Sequence, residues 1–525
     1  MALFDFFKRG AKKLTNNTGK EYKDVFEVDG VPPFREFYNL QIFPAKYIYR
    51  GLYNAWHIIP SPTIGDSRAT RTLFRMGMAK AVCAELAGLI WHEGADITIT
   101  NGRDDTLERY VKFVLADNAF NEKMQELIEQ AAALGGAAVK EYVFAKRDDE
   151  GNAIDGTERV MIDYCMADQF VPVSWDNAKV SEAVFVSRKA KDGMYWTRLE
   201  WHEWDGDTYV ITNDLYGVRQ AENINQDILG YWYPLEAAEP FIEPKVEING
   251  LSKSLFSYFR VPSANNIDDN SPLGISVYGN AFDTLHALDI CYDSFVREFR
   301  LGKKRIIVPA QSVRTVIDPE TGESRRYFDA NDEAYEALAT DDPDKLKISD
   351  NSMELRVEEH ISAINALLSV LCLQVGFSAS TFSFDMVNGL KTATEVISEN
   401  SKTYKTIRTF QNQIIPTIKR ICTNIIELGV LYDLTFEGRR IADLARDYEI
   451  SVTMEDAVLE DNSTRIDRAI KLMANGLISK TTAMTDPKYG IGMTEEEAEE
   501  ELSKIKDEQQ ITSTAFDVFQ ASTIE

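Results

Sequence analysis

Two amphipathic stretches separated by a change of period constrain this chain more than any other feature. From Ser271 to Gly302, the residues Tyr278, Phe282, Leu285, Leu288, Tyr292, Phe295 and Phe299 recur at helical spacing, with Asp283, His286, Asp293, Arg297 and Arg300 on the other side. Ser271 followed by Pro272 reads as an N-cap with proline at the first helical position, and Gly302 as the residue that ends the run. At about 1.5 Å per residue such a helix spans roughly 40 Å. A second stripe follows in Val357, Ile361, Ile364, Leu368 and Leu371, opposite Glu358, Ser362, Asn365 and Ser369, with Asn351 and Glu354 as its start signal. Between the two, the text turns to a strand at Ile306 to Val308, a hairpin turn at "DPETGES" and a short helix. Helices that bracket such an excursion are expected side by side, with the excursion at their far end.

Upstream, helical periodicity dominates from about Thr70 to Gln130 and closes at Gly135 and Gly136. The text from Glu182 to Asp214 alternates and breaks at Asp192-Gly193 and Asp205-Gly206, which predicts two antiparallel hairpins. This half is expected to be an α+β domain that ends at the polar stretch "SANNIDDN". Downstream, "GFSASTFSFDMVNGLKTATEV" is a soft loop between helices, and Thr392 with Glu395 makes a capping box. The helix it opens is predicted to run to Gly429 with a kink at Pro416. A strand from Tyr448 to Met454, two short helices around "NGLIS" and the acidic run "TEEEAEEELSKIKDEQQ" complete the order.

The chain has 525 residues, 57 of them basic and 84 acidic, for a net charge of −27. That balance argues against tight, sequence-specific nucleic-acid binding, though not against a protein that lets DNA pass without gripping it. Cys83, Cys165, Cys291, Cys372 and Cys422 are scattered without a CxxC pair and read as reduced thiols in a cytosolic setting. The start, "MALFDFFKRGAKKLTNN", lacks the pattern of a signal peptide, and the longest uncharged apolar run, Ile361 to Val375, is too short to span a membrane. No P-loop is present, "WHEG" is a fragment of HExxH, and the serine of "GISVYG" falls at the wrong offset for a nucleophile elbow. The histidines (His57, His92, His202, His286, His360) do not cluster, so no metal, no cofactor and no catalytic residue are expected. The chain reads as non-enzymatic; a hydrolase with dispersed carboxylates is the enzyme alternative.

The order of parts, with the wording of "SPLGISVYGNAFDTLHALDICYDSFVREFRLGKKRIIVP" and "GLKTATEVISENSKTYKTIRTFQNQI", resembles the portal proteins of tailed bacteriophages, from about Phe34 to Gly476. The wording looks like the branch found in siphophages of Gram-positive hosts. The resemblance implies an α+β, portal-type subunit that assembles into a ring. Residues 1–270 would be an N-terminal segment and wing, 271–302 and 351–375 two stem helices, and 303–350 a small α/β clip. Residues 376–391 would be a tunnel loop, 392–460 a long kinked spine helix with a return to the wing, and 461–525 a helical crown and acidic tail. It further implies a dodecamer at one capsid vertex of the virion, assembled in the host cytoplasm. Double-stranded DNA would pass through it without sequence specificity. Its partners would be the large terminase subunit, the head–tail adaptor, and the major capsid and scaffold proteins, with no membrane.

On that resemblance Ser378, Ser380, Thr381, Ser383, Asn388 and Lys391 become candidates for the channel, and Gly376, Gly389 and Pro416 for hinges. Lys303, Lys304, Arg305, Arg325 and Arg326 are the densest basic text of the clip; subunit contacts, DNA and a solvated face are all open to them. Another ring-forming phage component, a minor capsid or head–tail connector protein, is the alternative. On periodicity alone, an ordinary helical hairpin in a monomer gives the same stripes.

Overall fold

The computed structural model describes residues 20–61, 67–92, 94–102, 104–148, 152–177, 179–221, 228–301, 306–307, 314–317, 324–327, 349–350, 354–383, 401–454, 462–485, 493 and 498–505. The chain divides into two compact units, one of residues 1–387 with 409–454 and one of 388–408 with 455–525. Among the described residues, helix at 43% and strand at 27%, with the strand pairs antiparallel, make this an α+β fold.

The first unit begins with β1 (Glu21–Tyr22), helical turns over 35–49, and the hairpin of β2 (Ile58–Pro60) and β3 (Thr70–Thr72). Then come α1 (Met78–Ile90), β4 (Asp96–Thr100), α2 (Thr106–Asp117) and α3 (Phe120–Leu134). The periodic region is therefore helical with one strand inserted. "DITIT" alternates with period two, burying Ile97 and Ile99, and its partner lies far downstream.

Strands β5 (Gly136–Phe144), β6 (Arg159–Met166), β7 (Phe170–Asp176), β8 (Lys179–Lys191), β9 (Met194–Asp205), β10 (Thr208–Arg219), β11 (Gly230–Tyr233), β12 (Lys245–Asn249) and β13 (Phe256–Arg260) build two sheets. One runs β1-β11-β10-β9-β8-β7 with β12 paired to β10, and the other β13-β5-β6. Both expected hairpins are present. Asp192 and Gly193 stand at φ 54° and 73° between Lys191 and Met194, the two positive values that a type I′ turn requires. The second turn is Gly206-Asp207, between Asp205 and Thr208, with Gly206 at φ 60°.

Gly135 ends α3 at φ 93°, its N–H 2.8 Å from the Ala131 carbonyl. Here the structure departs from the expectation for the next helix. α4 (Phe282–Leu301) starts at Phe282, not at Pro272, and its 20 residues span roughly 30 Å. The preceding segment is irregular because it lies against the end of α3. A Cβ on Gly274 would stand 2.1 Å from the Gly135 carbonyl oxygen. Val277 N–H and the Ser276 hydroxyl both donate to the Ala132 carbonyl, at 2.9 and 3.4 Å. Ser271 caps only Leu273, which it meets at 3.2 Å. Three long-range contacts thus outweigh one local start signal.

Beyond α4, β15 (Arg314–Ile317) pairs with β16 (Ser324–Tyr327), the expected hairpin, while β14 (Ile306–Ile307) pairs with β17 (Ser349–Asp350), which was not expected. The excursion's turn at 318–323 and short helix lie outside the described residues. α5 (Val357–Val375) begins at Val357, later than the Asn351 and Glu354 signal indicated. Asn351 lies outside the described residues, and Arg356 at the entry is held by Glu298 of α4.

α6 (Ser401–Leu431) passes through Pro416 and through Gly429, where its end was expected. Gly429 is a contact point: a Cβ there would meet the Tyr110 hydroxyl at 2.9 Å and Ile441 at 3.0 Å. The left-handed turn falls instead at Asp433, φ 50°. Pro416 leaves the Asn412 carbonyl without its helical donor. The capping box at Thr392 and Glu395 lies outside the described residues. The inward side of α6 buries Ile414, Ile418, Ile421, Ile425 and Ile426, and Phe410 meets Phe259 of β13 at 6.3 Å. β18 (Thr435–Phe436) and β19 (Arg439–Arg440) form a small hairpin, and β20 (Glu449–Thr453) pairs with β4. In the second unit, α7 (Asn462–Ala474) and α8 (Lys480–Thr485) flank the "NGLIS" turn.

Candidate functional site

The expectation of two adjacent helices holds. α4 packs along α5 and the pair buries Leu285, Leu288, Ile364, Leu368 and Leu371. The end of α4 meets the start of α5: the Phe295 and His360 rings stand 6.0 Å apart, and Arg356 grips Glu298 at 3.2 and 3.0 Å. The Arg356 hydrogen bond holds the Glu298 carboxyl below its ordinary range. Residues 302–353 connect these two ends in the chain.

Along its middle α4 is pinned to the β2–β3 hairpin and the segment that follows it. Arg71 donates to both oxygens of Asp293, at 2.8 and 2.7 Å, and Phe74 N–H adds a third bond at 3.2 Å. One turn earlier, Asp289 accepts from Met76 N–H at 2.8 Å and lies 3.1 Å from His57 Nε2. His286 stacks on Trp56, ring centroids 4.9 Å apart. Asp293 is only 2% exposed. Burial works against its charge, but Arg71 and Phe74 N–H outweigh it and hold the carboxyl below its ordinary value. So Asp293, on the polar side in the helical reading, is an internal anchor. Arg71 and Asp289 were missed; the spacing of Asp289 and Asp293, one turn apart, is the signal that could have found them.

The loop after α5 starts with Gly376 at φ 90°, a left-handed cap. Phe377 is fully buried, donates its N–H to the Cys372 carbonyl at 2.8 Å, and meets Phe382 edge-on at 5.6 Å. Thr381 N–H closes a turn on the Ser378 carbonyl at 3.0 Å. This turn brings Ser378, Ser380, Thr381 and Ser383 together but does not present them equally. Ser378 is 4% exposed, Thr381 is half-buried with a hydroxyl that has no partner among the described residues, and Ser380 and Ser383 are exposed. Asn388, Gly389 and Lys391 lie outside the described residues, as do Lys303, Lys304 and Arg305. Arg325 and Arg326 sit in β16 opposite Val316 and Thr315.

The helix pair also carries a feature that the stripes did not predict. Ala363, Ala366, Val370 and Leu373 form an exposed, uncharged row along α5, with Val370 at 45% and Leu373 at 54%. Ile290 of α4 is exposed as well. Among the described residues, no group of His, Cys, Asp and Glu could hold a metal ion, and no helix is long and apolar enough to cross a membrane. Among the described residues the five cysteines form no disulfide, and four of them are buried.

Over residues 48–514 the chain matches the family model described as "Phage portal protein, SPP1 Gp6-like". No curated protein matches it. Among solved structures, a chain of the virion of a native gene transfer agent particle is similar at 10% identity and a TM-score of 0.36, covering 77% of this chain and 88% of that one.

Proposed function

The chain belongs to the SPP1 Gp6-like family of phage portal proteins, and from that premise we propose that it forms the ring at the unique capsid vertex through which DNA enters and leaves. The observation that carries this reading is the family match over 48–514, which runs through the whole helix–excursion–helix order. In this reading the ring is a dodecamer of a siphophage with a Gram-positive host. α4 and α5 are the stem, residues 303–350 the clip that docks the large terminase subunit and later the head–tail adaptor, and α6 the spine. The wing contacts major capsid and scaffold proteins, and residues from 461 onward form the crown.

A closed ring of head-to-tail contacts needs two different complementary surfaces on each subunit. The exposed row Ala363, Ala366, Val370 and Leu373 supplies one, because an uncharged helix face of that length is costly to leave in water. The net charge of −27 suits a conduit. Each Lys or Arg that neutralises a phosphate adds affinity, and a channel lined that way would hold DNA rather than pass it. Ser380, Thr381 and Ser383, with Asn388 and Lys391, are then the loop groups offered to the channel. Ser378, buried beside Phe377, anchors the loop instead. The family match supports the portal reading over that of a different ring-forming connector component.

The test is to shorten the loop between Ser380 and Asn388. Rings should still assemble, while packaging or retention of DNA in the capsid is impaired. Normal packaging by the shortened protein would refute the channel role of this loop.

A further inference from the structure

Glu141, within β5, is 2% exposed and faces α6. Its Oε2 accepts a hydrogen bond from Asn424 Nδ2 of α6 at 2.7 Å, and its Oε1 has no partner among the described residues. The strand register places Tyr164 of β6 and Ser257 of β13 opposite Val139, on the same face of the sheet as Glu141. The hydroxyls of Tyr164 and Ser257 also lack partners among the described residues, as do Asn424 Oδ1 and Arg420 Nε. Arg420 spends its charge elsewhere: Nη2 donates to the Ser254 carbonyl at 3.1 Å and the guanidinium lies over Phe256 at 5.8 Å.

A carboxylate buried against one side-chain amide and its own backbone N–H, with no counter-ion in contact, is poorly compensated, since desolvating an anion costs far more than such hydrogen bonds return. The titratable groups around it do not supply the missing charge. From α6 they are Arg420 and Cys422, from β6 Tyr164, and from β10 Tyr209, whose hydroxyl is 2.7 Å from His202. Glu427 acts on Arg420 from further along α6. Burial raises Cys422, Tyr164 and Tyr209 and lowers His202, so all four are neutral near pH 7 and Arg420 is the nearest charge. The Lys140–Glu200 pair, at 2.9 Å, belongs to the opposite face of β5.

We propose that Glu141 is a proton-operated latch between the β13–β5–β6 sheet and α6. With its proton it lies neutral against Asn424, and Arg420 stays on Ser254 and Phe256. Without it, the buried anion draws Arg420 away from those contacts, and the hold of α6 on the sheet weakens. This device is independent of the portal reading, since it needs only the sheet and residues 409–431 of α6, all within the first unit.

Burial pushes the carboxyl up to about 8, against the Asn424 amide and the Arg420 charge, from an ordinary value of 4.5. The folded state therefore holds a proton that the unfolded chain has released, and stability falls as pH rises from 4.5 towards about 8, then levels. Hydrogen exchange of α6 amides in the full-length protein, corrected for intrinsic rates, should show the opening constant rising by up to about tenfold per pH unit below that point. Glu141→Gln keeps the shape and removes the proton, so its profile should lose that slope; a profile parallel to the wild type overturns the proposal. Infrared spectroscopy is the second arm. At neutral pH the wild type should show a carboxylic acid C=O band that fades at alkaline pH and is missing in Glu141→Gln. If the neutral wild type lacks a band that the variant also lacks, Glu141 is ionised and the latch does not exist.

Discussion

Replacing Asp293 by alanine takes one carboxylate out of the middle of α4 and leaves three donors behind. The two Arg71 contacts, at 2.8 and 2.7 Å, and the Phe74 N–H, at 3.2 Å, lose their acceptor together. Breaking a buried ion pair from one side costs about 3–5 kcal/mol, because the surviving charge stays poorly solvated. Arg71 has a side chain that is 25% exposed, so water relieves part of that, and a loss of about 2–4 kcal/mol is expected. The orphaned Phe74 amide alone accounts for about 1–3 kcal/mol. Asp293→Asn, which keeps an acceptor for one donor, should lose less. Urea unfolding of the full-length chain measures the loss, and a double-mutant cycle with Arg71→Met isolates the pair. Hydrogen exchange should locate the loosening in residues 70–76 and in α4. The pH dependence carries a sign. With its folded value held below the ordinary 3.8, the Asp293 pair contributes above that value and is lost only as pH falls through the depressed one. An Asp293→Ala protein within about 0.5 kcal/mol of wild type would refute the anchor, since surface substitutions fall in that range.

Three further outcomes are expected. Gly274→Ala should destabilise the first unit severely, because its Cβ would stand 2.1 Å from the Gly135 carbonyl oxygen; loss of soluble protein or a large drop in melting temperature checks this. Phe377→Ala should cost about 3–5 kcal/mol, the usual range for a buried phenylalanine, and free the turn at Ser378 to Ser383; calorimetry measures the first and hydrogen exchange the second. Leu373→Arg, at a position 54% exposed in one subunit, should leave protomer stability nearly unchanged and block assembly, as read by sedimentation.

Much of the fold was legible because its signals are local. Asp192-Gly193 carries its turn in two residues, and the stripes of α4 and α5 need only their own period. The errors arose where distant residues decide. Ser271-Pro272 is a sound helix start that a close backbone contact with Gly135 overrides. "DITIT" hides between helices because its partner, β20, lies near the other end of the chain. Asp293 reads as the wet side of a helix, and Asp289 passes unnoticed, until Arg71, His57 and Met76 are brought to them. The candidate loop was recognised by its place in the order of parts, yet its composition could not say that Phe377 would pull Ser378 inward. The exposed row on α5 stayed unseen because alanines and a leucine between two stripes look like ordinary helix filling.

The ring is the claim on which the function rests, and the mass of the purified full-length chain in solution, with end-on electron micrographs of the same sample, tests it. A 59.4 kDa chain in a dodecamer weighs roughly 700 kDa and should appear as a closed ring with a central hole. A homogeneous species at the mass of one chain, with compact particles and no hole, would contradict it.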